Sequence, residues 1–325
     1  NIRVLITTFS KPLVNLIVDK LKCMLAGEPE LFERIDVLTI NELGKKLFLS
    51  CEGFLPNLIS NEDIESLIIS HAPKDLREIY GSRFVIKEFI NVVDQHNIND
   101  WDTYKKDPRL GMNSRLNESK RQKFWPGFEK VKESLKLKKV VTYNQLFFKL
   151  SEVLKKNSIN PYQHVIVDEC QDISPSQLNF LSNLVITSKN PILFVGDLGQ
   201  RIFQSPFSWS HYGFDVRGRS YTLNVNYRTT EEIRNKLDKL LDSKSEDVDG
   251  IIQQRRNTIS LLNGKEPEII NFDNNELEQE AISKWIIAHQ KKGIKPNEFG
   301  IFVRSENEIC RAINALNKAK LPFSK

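Results

Sequence analysis

Residues 164–172 read His-Val-Ile-Val-Asp-Glu-Cys-Gln-Asp, which sets the carboxylates of Asp168 and Glu169 side by side at the end of a short apolar run. Such a run, flanked by polar residues, has the pattern of a buried parallel strand, and open parallel sheets bind ligands beyond the carboxyl ends of their strands. One carboxylate there can hold Mg²⁺ through its water shell while its neighbour takes a proton from an attacking water. Two adjacent acids are also how an ordinary strand ends in a polar turn, and for the pair alone that plainer reading is favoured. The pair has company, however. A second apolar run (192–195) ends in Gly196-Asp197-Leu198-Gly199-Gln200-Arg201-Ile202-Phe203, with Asp197 placed 29 residues past Asp168. A third (221–225) leads through Asn226 to Tyr227 and Arg228, the last 31 residues past Asp197. Three successive strands thus deliver Asp, Glu, Gln, Tyr and Arg from one end, an inventory suited to metal, water, a terminal phosphate and a base.

The surrounding pattern predicts elements able to hold these residues. Residues 4–7 form a strand candidate, followed by Leu13, Leu16, Ile17, Leu21 and Met24 at helical spacing up to Gly27, and then by a strand at 35–40. Across 46–159 strand signals fade and amphipathic helical patterns take over, which predicts a helical insertion. Its clearest helix opens with the capping-box pair Thr142 and Gln145 and presents Tyr143, Leu146, Phe147, Leu150 and Leu154 on one face. The α/β rhythm resumes at 165–167, and Ser174, Pro175 and Gln177 mark the next helix start. Past 220 the spacing predicts a helix opened by Thr229 and Glu232, a strand near 268–272, and a helix over 276–291 closed by Gly293. A strand at 299–303 and a helix capped by Ser305 and Glu308 follow. Strands alternating with helices imply an α/β fold with a parallel sheet.

Composition bounds the partners. The chain has 325 residues, of which 40% are hydrophobic and 27% charged, so it has the material for two cores and is neither disordered nor membrane-like. Its apolar runs fall short of the roughly 18 residues a membrane helix needs. A net charge of +5 suits a polyanionic partner without requiring one. Cys23, Cys51, Cys170 and Cys310 are scattered, which argues against a zinc site or a disulfide framework and fits a reducing, cytoplasmic setting. The first residue is Asn1, with no initiator Met, and the start reads as a truncation.

The clustered motifs resemble those of superfamily 1 DNA helicases of the UvrD/Rep type. Asp168-Glu169-Cys170-Gln171-Asp172 resembles the family's D-E-x-Q-D, Gly196 through Phe203 resembles G-D-x-x-Q-x-I-Y, and Leu223 through Arg228 resembles L-x-x-N-Y-R. Thr7-Thr8-Phe9-Ser10-Lys11 is similar to the T-F-T-N-K segment. The resemblance covers about 1–45 and 160–325 and is weak across the insertion. It implies a RecA-like P-loop NTPase fold made from 1–45 and 160–219, a helical insertion domain at 46–159, and the first part of a second RecA-like domain at 220–325.

By the same resemblance the cofactors are ATP and Mg²⁺. Asp168 would hold Mg²⁺, Glu169 would activate water, and Gln200 would sense the γ-phosphate. Tyr227 would stack on adenine, and Arg228 would act as an arginine finger. Thr8, Phe9, Lys11, Thr39, Phe203 and Trp209 would line the track for single-stranded or partial-duplex DNA, with Trp209 the preferred stacking residue. Plainer readings stand beside these: Tyr227 in a core, Arg228 in a surface ion pair, and Trp209 packed inside the protein. The sequence also departs from the family. It contains no G-x-x-x-x-G-K-[S/T] loop, it has Pro12-Leu13 where the family often has Lys-Ala, and it has Phe203 in place of Tyr. The expectation is an ATP-dependent 3′ to 5′ DNA translocase and helicase whose present 325 residues do not hydrolyse ATP by themselves. The alternative is a non-motor module that binds DNA or a protein through the insertion. A motor acting on RNA is a third, less favoured reading.

Overall fold

A computed structural model of the protein describes residues 2–112, 114–185, 190–197, 200, 207–239, 244–246, 252–254 and 258–323. The chain divides into two compact units, residues 1–224 with 242–257 and residues 225–241 with 258–325.

The first unit is built on four parallel strands in the order β2-β1-β3-β4: β1 (Val4–Thr8), β2 (Ile35–Thr39), β3 (His164–Val167) and β4 (Ile192–Phe194). Thr7 lies opposite Leu38 on one side and Val167 on the other, so Thr8, Thr39 and Asp168 all emerge at one carboxyl edge. β1 feeds helix α1 (Lys11–Met24), which carries Pro12 in its first turn, where the missing N–H costs nothing. α1 ends on Met24 rather than running on to Gly27. After the single turn α2 (Pro29–Phe32), β2 passes directly into α3 (Ile40–Glu52). Thr39 is both the last strand residue and the helix N-cap, its hydroxyl accepting from Glu42 N while Glu42 accepts from Thr39 N. That capping box ends the expected 35–40 strand one residue early.

The insertion comprises α4 (Asn61–His71), α5 (Lys74–Tyr80), α6 (Ser82–Glu88), a π-helical turn (Phe89–Asp94), α7 (Trp101–Lys106) and α8 (Glu118–Leu137). It has a core of its own around Phe89, Tyr104, Phe124, Phe128 and Leu135. The stretch 46–159 divides between two cores. Phe48 of α3 and Leu146, Phe147, Leu150 and Leu154 of α9 (Tyr143–Lys156) pack with Leu5, Val165 and Val167 of the sheet. The Thr142–Gln145 capping box forms as its residues predict and aims that apolar face at the sheet. The chain enters and leaves the helical subdomain through a narrow neck, where Ile59 N donates to Val141 O (3.0 Å) and Val141 N to Asn57 O (2.9 Å).

One ion pair is sealed inside the insertion. Arg109 Nε donates to Glu88 at 2.8 and 3.1 Å, Tyr104 donates its hydroxyl to the same carboxylate at 2.9 Å, and Glu88 is 0% exposed. Burial, with the Glu88 charge beside it, drives the Tyr104 phenol far above its usual range. Removing one partner strands a buried charge, so Arg109→Ala is expected to lower stability by about 3–5 kcal/mol. Urea unfolding of the variant against the parent checks this, and equal midpoints would sink it.

Helix α10 (Pro175–Ser182) follows β3 with its Ser174–Gln177 capping box formed. In the second unit, β5 (Val225–Thr230) leads into α11 (Glu231–Asp238), whose N-cap is Thr230, one residue after the expected Thr229. The short strands β6 (Lys244–Glu246) and β7 (Ile252–Gln254), which fall with the first unit, pair antiparallel. β5 itself pairs in parallel with β8 (Ile259–Leu262), and α12 (Asn275–Gln290) packs on α13 (Ile309–Lys318).

Three strand expectations fail here. The apolar run 221–225 is irregular up to Val225, and 268–272 and 299–303 form no strand. A strand needs a ladder partner. Val225–Thr230 and Ile259–Leu262 find one in each other, and a hydrogen bond from Asn226 to Ser260 of β8 adds to that pairing. Helix α12 matches its expected span closely and is followed by Gly293 at φ 93°. Among the described residues no helix is long and apolar enough to cross a membrane.

Candidate functional site

Beyond Val167 the chain does not simply leave the sheet. Asp168 N donates to Thr7 O (2.8 Å), extending the ladder by one residue, and Asp168 Oδ1 accepts from Glu169 N (3.0 Å). Glu169 then turns left-handed, φ 53° and ψ 43°, a conformation costing a non-glycine residue roughly 1–2 kcal/mol. The flanking bonds hold it there, since Cys170 N donates to Val195 O (3.0 Å) in β4's exit and Cys170–Asp172 close a 3₁₀ turn. The carboxylate is oriented as well: Gln171 Nε2 donates to Glu169 Oε2 at 2.6 Å.

Gln171 is buried and works in both directions, because its Oε1 accepts from Asp197 N at 3.1 Å. Asp197 in turn accepts twice from Gln200, at Oδ2 from Nε2 and at the carbonyl from the backbone N, both 2.9 Å. The exits of β3 and β4 are therefore tied into one hydrogen-bonded edge, Glu169–Gln171–Asp197–Gln200. Gly196 is what lets the two approach: a Cβ there would lie 2.4 Å from Gln171 Oε1 and 2.8 Å from Cys170 Sγ. Asp168, Glu169 and Gln200 thus come together as their spacing implied.

The adjacent exit of β1 forms a small cleft with this edge, lined by Thr7, Thr8, Phe9, Asp168, Glu169 and Asp172. Thr7 and Thr8 are buried, and neither hydroxyl finds a partner among the described residues. Buried hydroxyls without protein partners mark a place where water or a ligand oxygen completes the bonding.

The expected DNA residues fare unequally. Phe9 is 54% exposed and presents its ring beside this cleft. Lys11 Nζ sits 2.6 Å from Glu42 Oε1, a bond that holds the Glu42 carboxyl below its usual range, so a phosphate would compete with Glu42 for this lysine. Thr39 is buried and caps α3. Phe203 lies outside the described residues. Trp209 corrects the expectation of an open stacking face. It is 3% exposed, with its ring 4.7 Å from Phe194 and 5.0 Å from Phe207, centroid to centroid, as part of the sheet core. A base cannot reach that ring without unpacking the core.

Tyr227 and Arg228 belong to the second unit, on β5. Neither plainer reading is met. Tyr227 is 74% exposed rather than in a core, and among the described residues no carboxylate pairs with the exposed Arg228. Asn226 braces the backbone around them: its Oδ1 accepts from Arg228 N (2.8 Å) and Thr229 N (3.3 Å), and its amide donates to Thr229 and to Ser260. The β5–β8 register shifts beyond this residue, and both side chains are exposed.

Sequence reasoning assigned no role to Gln171, Gly196, Asn226 or the Thr7 hydroxyl. The signals were present for Gln171 and Asn226, an amide beside each reactive pair, but their partners are remote in sequence. Asp197 is 26 residues from Gln171, and Ser260 is 34 from Asn226.

Comparison with known proteins bears on the same residues. The pattern described as the UvrD/REP helicase N-terminal domain matches residues 3–206, and that of the UvrD-like helicase C-terminal domain matches 221–325. Two curated relatives, each named ATP-dependent DNA helicase PcrA and each from a strain of Staphylococcus epidermidis, are 24% identical over 198 residues. That alignment covers 57% of this chain but only 25% of either relative, so the chain spans about a quarter of their length. The N-terminal match takes in the parallel sheet, the helical subdomain and the Asp168–Gln200 edge, and the C-terminal match takes in the unit bearing Tyr227 and Arg228; the chain belongs to the UvrD/REP helicase family.

Proposed function

We propose that the protein to which this chain belongs is an ATP-dependent DNA translocase and helicase that travels 3′ to 5′ on single-stranded DNA and opens partial duplexes. Residues 1–45 with 160–219 are read as its first RecA-like domain, 46–159 as the insertion, and 220–325 as the opening of the second. The observation that carries this reading is the bonded edge Glu169–Gln171–Asp197–Gln200 at the carboxyl ends of parallel strands, where open α/β sheets take their ligands.

The donor set at that edge fits ATP with Mg²⁺. Among the described residues there is no cage of three or more acidic, His or Cys ligands. Mg²⁺ does not need one, because it keeps several waters and is held by one or two carboxylates together with substrate phosphates. Asp168 would be the carboxylate for it, and the Thr7 and Thr8 hydroxyls could accept from its waters or donate to phosphate oxygens. When bound, Mg-ATP supplies an electrophilic terminal phosphate. Glu169, aimed by Gln171, takes the proton of the attacking water. Gln200, hinged on Asp197, registers whether the terminal phosphate is present and passes this along the edge. Tyr227 stacks on the adenine ring, and Arg228 places positive charge where the transition state gains negative charge. Phe9 offers a stacking face to a base, and Lys11 serves the DNA backbone by exchanging Glu42 for a phosphate, whereas Thr39, buried in its capping box, is left to position α3.

The 325 residues hold no lysine-bearing phosphate loop, so alone they are expected to turn over ATP negligibly. The rival reading is a helicase-like module that binds DNA or a protein through the insertion without hydrolysis. The two part in an experiment on the full-length protein: ATPase activity with and without single-stranded DNA or RNA, beside unwinding of 3′-tailed and 5′-tailed duplexes. The motor reading expects DNA-stimulated ATPase and a preference for the 3′ tail. DNA binding with no ATP turnover would establish the rival instead.

A further inference from the structure

A buried polar chain crosses the seam between the helical subdomain and the sheet. Asp94 closes the π-helical turn of the subdomain and is 7% exposed. Its Oδ1 accepts from Thr142 Oγ1 (3.0 Å) and its Oδ2 from Asn144 Nδ2 (2.8 Å), both at the start of α9. Asn144 Oδ1 then accepts from Ser176 Oγ (2.6 Å), which shares a 2.9 Å bond with Ser174 Oγ. Ser174 caps α10 and stands two residues beyond Asp172, the end of the turn that begins at Glu169.

Resting on the ATPase reading above, we propose that Asn144 is a positioning residue for hydrolysis. By bridging Asp94 of the helical subdomain to Ser176 of α10, it holds the Asp168–Asp172 turn in register with that subdomain.

Three features support this. The covalent link between subdomain and sheet is only the narrow 57–59 and 141 neck, so the seam needs a further tie to be rigid. The tie is made of buried polar groups, whose bonds are directional and costly to break, rather than of apolar contacts that slide. Both ends of Asn144's amide are used, so its orientation is fixed. Burial pushes the Asp94 carboxyl up to about 6, against the lowering effect of Asn144, Thr142 and the Lys132 charge from α8.

The test uses the full-length protein and DNA-stimulated ATPase. Asn144→Ala is expected to cut kcat about tenfold with the KM for ATP little changed, because the nucleotide's own contacts remain. Asn144→Asp sets two carboxylates together, which resist ionising at once. Its turnover is expected to be low at about pH 8 and to recover towards about pH 6, where the pair shares one proton. A purely packing role would give the same loss at every pH. Exchanging the groups, Asp94→Asn with Asn144→Asp, keeps one charge and every donor. Thr142 then donates to the amide oxygen at 94, the amide nitrogen at 94 donates to the carboxylate at 144, and Ser176 donates to that carboxylate's other oxygen. This double variant is expected to recover most of the wild-type kcat.

No recovery in the exchanged protein, folded or not, overturns the proposal, as does an Asn144→Ala protein with wild-type kcat. The functional reading fails separately, by absence of ATPase in the wild type. In that case thermal unfolding of the two single variants and the exchanged pair still reports, and strictly additive effects at 94 and 144 would refute the relay itself.

Discussion

Arg228→Ala in the full-length protein is expected to lower DNA-stimulated ATP turnover by about 10³-fold while leaving stability almost unchanged. The argument starts from β5. Asn226 binds the backbone of Arg228 and Thr229 and reaches across to Ser260, so the backbone that carries Arg228 is held by side-chain bonds where the β5–β8 register shifts. The guanidinium is exposed, and among the described residues no carboxylate neutralises it. A surface arginine held in an ion pair would contribute about 0–1 kcal/mol to stability and nothing to turnover. A guanidinium directed at a transferring phosphoryl group contributes chiefly to kcat, because negative charge on the phosphoryl oxygens develops in the transition state. Arg228→Lys is expected to recover little, since a point charge does not reproduce the planar fork. Steady-state ATPase at saturating DNA, beside thermal unfolding, separates the two roles. Unchanged turnover would return Arg228 to the surface.

Much of this architecture is legible in the residues, and the parts that are not share a physical reason. The strands near 4–7 and 165–167 and the Thr142 and Ser174 capping boxes are local, set by apolar runs and by residues three apart, and all of them form. The second unit is harder to read because its strands are chosen by pairing. The run at 221–225 is as apolar as a strand, yet the ladder forms from Val225 onward, where Asn226 meets Ser260. Trp209 shows the limit for single aromatics, since its sequence neighbourhood does not distinguish a ring stacked on a base from one packed on Phe194 and Phe207. At the sheet edge, the pair Asp168 and Glu169 and the later Gln200 stand out by type and spacing. Gln171, the amide that ties them together, does not, because its bond to Asp197 exists only once β3 and β4 lie side by side.

The second large effect concerns Glu169. Its carboxylate accepts from Gln171 Nε2, and a glutamine oxygen at the same position can still accept that bond. Glu169→Gln therefore preserves shape, bonding and the left-handed turn, and removes only the capacity to take a proton. A positioned general base contributes about 10²- to 10⁴-fold, and a loss of about 10³-fold is expected here. Asp168, the proposed carboxylate for Mg²⁺, is untouched, so on this reading metal and nucleotide binding are expected to persist, and the variant is expected to hold ATP that it does not cleave.

The most direct measurement pairs ATP affinity with single-turnover phosphate release on full-length protein carrying Glu169→Gln, at saturating DNA. Wild-type affinity with release slowed about a thousandfold is the predicted result. Release at the wild-type rate would contradict it, and with it the claim that this sheet edge is where ATP is cleaved.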